Sequence, residues 1–263
     1  MTTLLNHPVL FFLVSLTVLV LVTQAGYRLR QAHPASTEEA LHEQVHDARD
    51  GIVFLLSLLL GFTLAMALTR YDHRKQLVVD EADAIGTTAL RARLLPEPYD
   101  SRMTHLIADY SDARLKYFTV RDAKAVEVAL EQAKQLQNQI WDITRDAARA
   151  APTAITSSFI QSLNETIDLS EKQVASAENR IPLSTWVMIW IIAILACLAS
   201  GLAVRRRLLI SMVLTPLTAA VVMSLTADLD SPRSGLITIG SASIERIHSD
   251  LNPSPTSKPK ADQ

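Results

Sequence analysis

The 263-residue chain has a single cysteine, Cys197, and only 5% of its residues are aromatic. One cysteine excludes an intramolecular disulfide, and it also excludes a zinc knuckle or a redox pair built from two cysteines. The 25 lysines and arginines are outnumbered by 27 aspartates and glutamates. The chain therefore lacks the basic excess that binding to a phosphate backbone demands, and we expect no nucleic-acid partner. With 49% hydrophobic and 20% charged residues, it is also too apolar for a disordered protein.

The apolar residues are concentrated in four blocks, at residues 9–26, 51–69, 183–204 and 208–227. Each block has 18 or more residues and none contains an ionisable Asp, Glu, Lys, Arg or His. At about 1.5 Å per helical residue, such a block crosses the roughly 30 Å of hydrocarbon in a bilayer. The first block lacks the basic lead-in of a signal peptide, so we predict that it is a retained helix. Spans without ionisable side chains also argue against a proton-coupled transporter.

The remaining segments indicate how the spans are joined. Residues 70–182 carry apolar stripes at helical spacing and no alternating strand pattern, so they predict an extramembrane helical domain. Residues 27–50 form a polar amphipathic connector, and residues 228–263 form a C-terminal segment that ends in a loose, Pro- and Ser-rich tail. The predicted fold class is all-α: a polytopic membrane protein with four transmembrane helices and a helical bundle inserted between spans 2 and 3. Basic residues flank both sides of the spans, so the positive-inside rule predicts no single orientation.

One short motif has the spelling of a zinc site. His42, Glu43 and His46 spell HExxH, which on a helix places two imidazoles one turn apart to bind zinc, with the carboxylate as general base. Asp47 follows directly, where metalloprotease motifs usually have an uncharged residue, and no third ligand stands out. The favoured interpretation is a solvated amphipathic helix begun by a capping box at 36–39. A membrane-anchored zinc hydrolase is the less favoured alternative, and we predict no catalytic residue, no metal and no cofactor.

Acidic residues follow the second span. Within 72–87, one face of a continuous helix carries Asp72, Gln76, Asp80, Asp83 and Thr87, with Glu81 adjacent. On a single chain this is a solvated face, and Arg70, Arg74 and Arg91 could neutralise it by pairs one turn apart or across subunits. If several subunits placed it around an axis, rings of carboxylate would form and would favour cations. Asp72, Asp80, Glu81 and Asp83 are therefore the candidate residues for an acidic pore exit.

Three longer strings resemble one family. They are GFTLAMALTRYDHRKQLVVDEADAIGTTALRARLLPEP, SLNETIDLSEKQVASAENRIP before the third span, and ADLDSPRSGLITI after the fourth. Together they resemble the bestrophin-like membrane proteins found widely in bacteria, over roughly residues 51–239. The resemblance implies a homo-oligomer, typically a pentamer, of four-span subunits in the bacterial inner (plasma) membrane. It also implies a passive channel for small inorganic ions, whose second helix lines an apolar neck and whose remaining helices lie in the cytosol.

By position, the resemblance assigns candidate neck residues Leu56, Leu60 and Phe62 to the second span. Ser57 and Gly61 join the candidates as small residues at helical spacing beside bulky ones, and close helix packing is the favoured interpretation of Gly61. The acidic calcium clasp of animal bestrophins is not recognisable, so calcium gating is not implied. The function predicted from the sequence is an oligomeric ion channel in the lipid bilayer and not an enzyme. A membrane scaffold or sensor that conducts nothing is the alternative.

Overall fold

The computed structural model describes residues 7–32, 39–204 and 209–253, without the side chains of 39–43, 209 and 211. Eight helices occupy this part of the chain: α1 Pro8–Ala32, α2 Glu39–Ala92, α3 Tyr99–Thr119, α4 Ala123–Ala150, α5 Ala154–Glu178, α6 Leu183–Ala203, α7 Leu209–Asp230 and α8 Ala242–Leu251. No strand occurs within these ranges. The predicted all-α class is confirmed.

Within the described residues, four helices are long and apolar enough to cross a membrane: α1, α2, α6 and α7. Each covers all or most of one of the four apolar blocks of the sequence. Three helices, α3, α4 and α5, lie between the second and the third of these in the chain. The predicted arrangement of four spans with a helical insertion between spans 2 and 3 is therefore confirmed.

The second span does not end at the limit of its apolar block. Helix α2 continues unbroken for 54 residues, from Glu39 to Ala92. At about 1.5 Å per residue this is about 80 Å of helix, far more than a bilayer requires. No proline interrupts α2, and the segment that follows its end contains Pro96 and Pro98. The described residues form two compact units: a membrane unit within the ranges 1–72 and 180–238, and a helical unit within the ranges 73–179 and 239–263.

The membrane unit is held together by a close approach of α1 to α6. A Cβ atom added at Gly26 would collide with the backbone oxygen of Leu198, and one added at Gly201 would collide with the backbone oxygen of Thr23. Since lipid tails are as apolar as the helices, association in a membrane depends on this kind of tight backbone packing. The two glycines are therefore required by the geometry of the helix pair.

Two buried aspartates near the end of α7 bind backbone N–H groups of neighbouring segments. The Asp228 carboxylate accepts hydrogen bonds from the backbone N–H groups of Leu236 (2.9 Å) and Ile237 (3.2 Å). Gly235, at φ +133°, lies so close to this carboxylate that a Cβ atom would overlap it. Both oxygens of Asp230 accept from the N–H of Ile181, at 3.1 Å each, just before α6. These bonds give the string DLDSPRSG a structural role.

The helical unit has its own apolar core, built from the end of α2 together with α3, α4, α5 and α8. Ile244 of α8 is fully buried there, and Ile247 packs close to Gly86 of α2. Helix α8 thus lies within residues 228–263, the C-terminal segment defined from the sequence. The loose tail predicted beyond it lies largely outside the described residues, at 254–263.

Replacing Gly201 by Ala tests the helix contact. We expect Gly201→Ala to lower the free energy of unfolding by about 1–3 kcal/mol, because the new methyl group must push α1 and α6 apart. Gly51→Ala is the matched control: a Cβ atom there meets nothing within 4 Å, so helix propensity alone would raise stability by up to about 1 kcal/mol. Thermal unfolding in detergent, followed by circular dichroism, gives both values. Equal unfolding temperatures for the two variants would contradict the close approach.

Candidate pore helix

Helix α2 presents two different faces within its apolar block. The buried face carries Leu56, Leu60, Thr63 and Ala67, spaced three or four residues apart. Leu56 is 3% exposed and Leu60 is 5% exposed, and both belong to the core of the membrane unit together with residues of α6 and α7. This spacing is what one side of a helix requires to pack against its own chain.

The opposite side of α2 is uncovered. Phe54 is 70% exposed, Leu58 is 43% exposed and Phe62 is 67% exposed, and they follow one another at intervals of four residues. We call this side the open face; its residues are Phe54, Leu58, Gly61, Phe62, Ala65 and Thr69, all exposed. A Cβ atom added at Gly61 meets nothing within 4 Å. The open face therefore combines large apolar side chains with small residues.

The structure divides the neck residues predicted from the sequence into two groups. Gly61 and Phe62 lie on the open face, and exposed Ser57 lies at its edge, where its hydroxyl donates to the Val53 backbone oxygen at 2.8 Å. Leu56 and Leu60 point into the subunit's own core. Phe54 and Leu58 were not predicted from the sequence, although their four-residue spacing to Phe62 was a usable signal.

Carboxylates follow the apolar block of α2. Helical register places Asp72, Gln76, Asp80, Asp83 and Thr87 on one side of the helix. Asp72 and Asp83 are exposed, and half-buried Asp80 accepts a hydrogen bond from Gln76 Nε2 at 2.8 Å. We call Asp72, Asp80 and Asp83 the acidic line.

Nearby basic side chains lie off this line. Arg74 is buried on the other side of α2, and exposed Lys75 is about a quarter turn from the centre of the line. Arg91, further along, donates from Nη1 to the Ser158 backbone oxygen at 2.9 Å. The acidic line thus carries three carboxylates and no lysine or arginine.

Glu81, the fourth acidic candidate, occupies a different position. It is 0% exposed, and its two carboxylate oxygens accept hydrogen bonds from Nε and Nη2 of Arg114, which is 1% exposed. The guanidinium carbon of Arg114 lies 4.5 Å from the centroid of the Tyr117 ring. Burial by itself would lower the pKa of Arg114, but the Glu81 carboxylate outweighs burial and the pKa is raised. Glu81 therefore neutralises a buried cation in the helical unit instead of standing on the acidic line.

The HExxH residues lie near the start of α2. The side chains of His42 and Glu43 lie outside the described residues, and His46 is half-buried. In the part of the chain that the structure describes, no group of three or more His, Cys, Asp or Glu residues is arranged to hold a metal.

These features define a helical membrane protein with four apolar spans and a second span that continues far beyond the membrane. A family model named Bestrophin-like domain matches residues 9–244, and the chain belongs to that family. No curated protein matches the sequence.

Solved structures share the fold. A bacterial Bestrophin homolog from Klebsiella pneumoniae matches with a TM-score of 0.67 and 14% identity, over 92% of this chain and 96% of that chain. A variant of that homolog with one leucine-to-threonine substitution matches with a TM-score of 0.65 and 15% identity, over 94% and 99%.

The buried ion pair can be tested by removing one of its charges. We expect Glu81→Gln to lower the free energy of unfolding by about 3–5 kcal/mol, because Arg114 would remain buried and charged without a counterion. In the control variant Asp112→Asn, a largely solvated ion pair with Lys116 is lost at a cost of about 0–1 kcal/mol. Thermal unfolding of both variants in detergent measures the difference. A loss for Glu81→Gln as small as that for Asp112→Asn would show that the pair is not a structural requirement.

Proposed function

We propose that the protein forms a homo-oligomer around α2 and is a passive, cation-selective ion channel, with the open face of α2 lining the pore. The observation that carries this proposal is the composition of one uncovered helix side: apolar residues from Phe54 to Ala65, followed by the acidic line from Asp72 to Asp83. Membership of the bestrophin-like family supports it. We further propose that the protein is multi-pass and resides in the bacterial inner membrane.

The apolar part of the open face has the properties of a narrow neck. A side that only faced lipid would need no small or polar residues, whereas this one interleaves Gly61, Ala65 and Thr69 with two phenylalanines. Around an axis, the phenyl rings would form an apolar constriction, which opposes ion passage while it is dewetted. Leu56 and Leu60 would position this face by packing inside the subunit, without contacting ions themselves.

The acidic line has the properties of a cation-attracting exit. Repeated around an axis, three carboxylates from each subunit give a strongly negative lining without intervening lysines or arginines. Such a lining raises the local concentration of cations and excludes anions, and salt weakens both effects. Asp80 holds its orientation through Gln76, while Asp72 and Asp83 remain exposed.

Charge selectivity is measured as the reversal potential of the purified protein in a planar bilayer under a potassium chloride gradient. We expect a value close to the potassium equilibrium potential. In the double variant Asp72→Asn, Asp83→Asn, we expect a shift towards zero because two carboxylates per subunit are lost. Asp109→Asn removes an exposed carboxylate from α3 and should leave the reversal potential unchanged. A wild-type value near the chloride potential, or no current from folded oligomers, would contradict the proposal.

The position of the neck is tested by its conductance. Phe62→Ala should raise the single-channel conductance at least several-fold, because removing a phenyl ring from each subunit widens the constriction and favours its wetting. Leu21→Ala, which truncates a side chain on α1 that is 63% exposed, is the control and should conduct like the wild type. Equal conductance of all three proteins would place the neck elsewhere.

A further inference from the structure

The helical unit contains a groove between α4 and α5 that the proposed pore does not use. Its volume is about 900 Å³, and Arg114 of α3 lies among its lining residues. Helix α4 packs extensively on α3 but only sparsely on α5, which leaves the groove open along the first half of α4 and the last part of α5. This size lies within the range of small-molecule sites.

The groove has a hydrogen-bonded floor. Gln137 Nε2 donates to the Ser170 hydroxyl at 2.9 Å and to the Tyr110 hydroxyl at 3.2 Å. Ser170 is 4% exposed and in turn donates to the Ile167 backbone oxygen at 2.8 Å. Burial raises the pKa of Tyr110. Because the Ser170 proton is already donated to Ile167, Ser170 can only accept from Gln137, and this fixes the nitrogen side of the Gln137 amide towards Ser170 and Tyr110.

Among the described residues, two polar atoms beside this floor have no hydrogen-bond partner. Nε and Nη2 of Arg114 are engaged by Glu81, while Nη1 has no hydrogen-bond partner within the described residues. The same holds for Oε1 of Gln137. Gln137 is half-buried and Arg114 is only 1% exposed, so a ligand would meet the Arg114 guanidinium only at the bottom of the groove. The groove thus offers a cationic donor and a neutral acceptor.

The walls of the groove carry more negative than positive side chains. Glu127 and Glu131 of α4 and Glu171 of α5 line the groove, and Lys124 and Lys134 also contribute to it. Because Glu81 already balances Arg114, the three wall carboxylates outnumber the two lysines. Val128 and Val174 add apolar surface. An ammonium group is therefore favoured at the walls, and Arg114 contributes an N–H donor for a ligand oxygen although its charge is balanced by Glu81.

We propose that this groove binds a small zwitterion that carries both a carboxylate and an ammonium group, of the amino-acid or dipeptide class. The ligand carboxylate would accept from Arg114 Nη1, a ligand N–H would donate to Gln137 Oε1, and the ammonium group would pair with Glu171. This site is independent of the proposed pore, since none of these residues lies on α2.

Calorimetric titration of the full-length protein in detergent tests the site. The probes are L-leucine and L-alanyl-L-alanine, with acetate and ethylamine as the two halves of a zwitterion. We expect at least one zwitterion to bind about tenfold more tightly than either half, as expected when one ligand makes both contacts. Zwitterions that bind no better than acetate or ethylamine would overturn the proposal.

Variants assign the binding to the groove. Gln137→Leu and Glu171→Gln should each weaken zwitterion binding about tenfold, since each removes one polar contact. Gln139→Leu and Glu165→Gln change exposed residues on the same helices outside the groove and should bind like the wild type. Glu171 is exposed, so its variant keeps the fold even if Gln137→Leu does not. If Glu171→Gln and a folded Gln137→Leu variant both bind the zwitterion with wild-type affinity, the assignment to the groove is overturned. This conclusion does not depend on the result of the ion-current recordings.

Discussion

Within its apolar block, one side of α2 is buried against its own chain and the opposite side is uncovered. This unequal burial determines how α2 is rotated and which of its residues are available to line a pore. The buried side fixes the rotation of the helix, because Leu56, Leu60 and Ala67 fill the core of the membrane unit. Fixing that rotation also determines which residues stand opposite. The phenylalanines and small residues of the other side are therefore presented together, and no movement of single side chains would exchange the two faces.

The two units use different physics to stay folded, as their surroundings require. In the membrane unit, where lipid removes most of the hydrophobic driving force, Gly26 and Gly201 allow backbones to touch. In the helical unit an apolar core forms, and the buried charge of Arg114 is tolerated because Glu81 neutralises it. Arg114 therefore has two roles: its ion pair belongs to the core, and its remaining nitrogen reaches the groove.

Much of the fold could be predicted from the sequence, because apolar block length and helical spacing are local properties. The four spans and the helical insertion depend on those properties. The faces of α2 could not be assigned in the same way: Leu60 and Phe62 are both apolar, and only the packing of α6 and α7 shows that one is buried and the other exposed. Glu81 and Asp83 also look alike in sequence, but the partner of Glu81 is 33 residues away. The groove could not be predicted from the sequence either, because its floor is built from residues of three helices that come together only in the folded chain.

The position of α2 in the assembled protein is the central claim, and an electron cryo-microscopy structure of the purified oligomer tests it most directly. We predict a symmetric assembly in which α2 of every subunit surrounds the axis, with Phe62 at the narrowest point and Asp83 facing the same passage. A structure in which the open face of α2 contacts lipid at the periphery, or in which the protein is a monomer, would contradict this prediction.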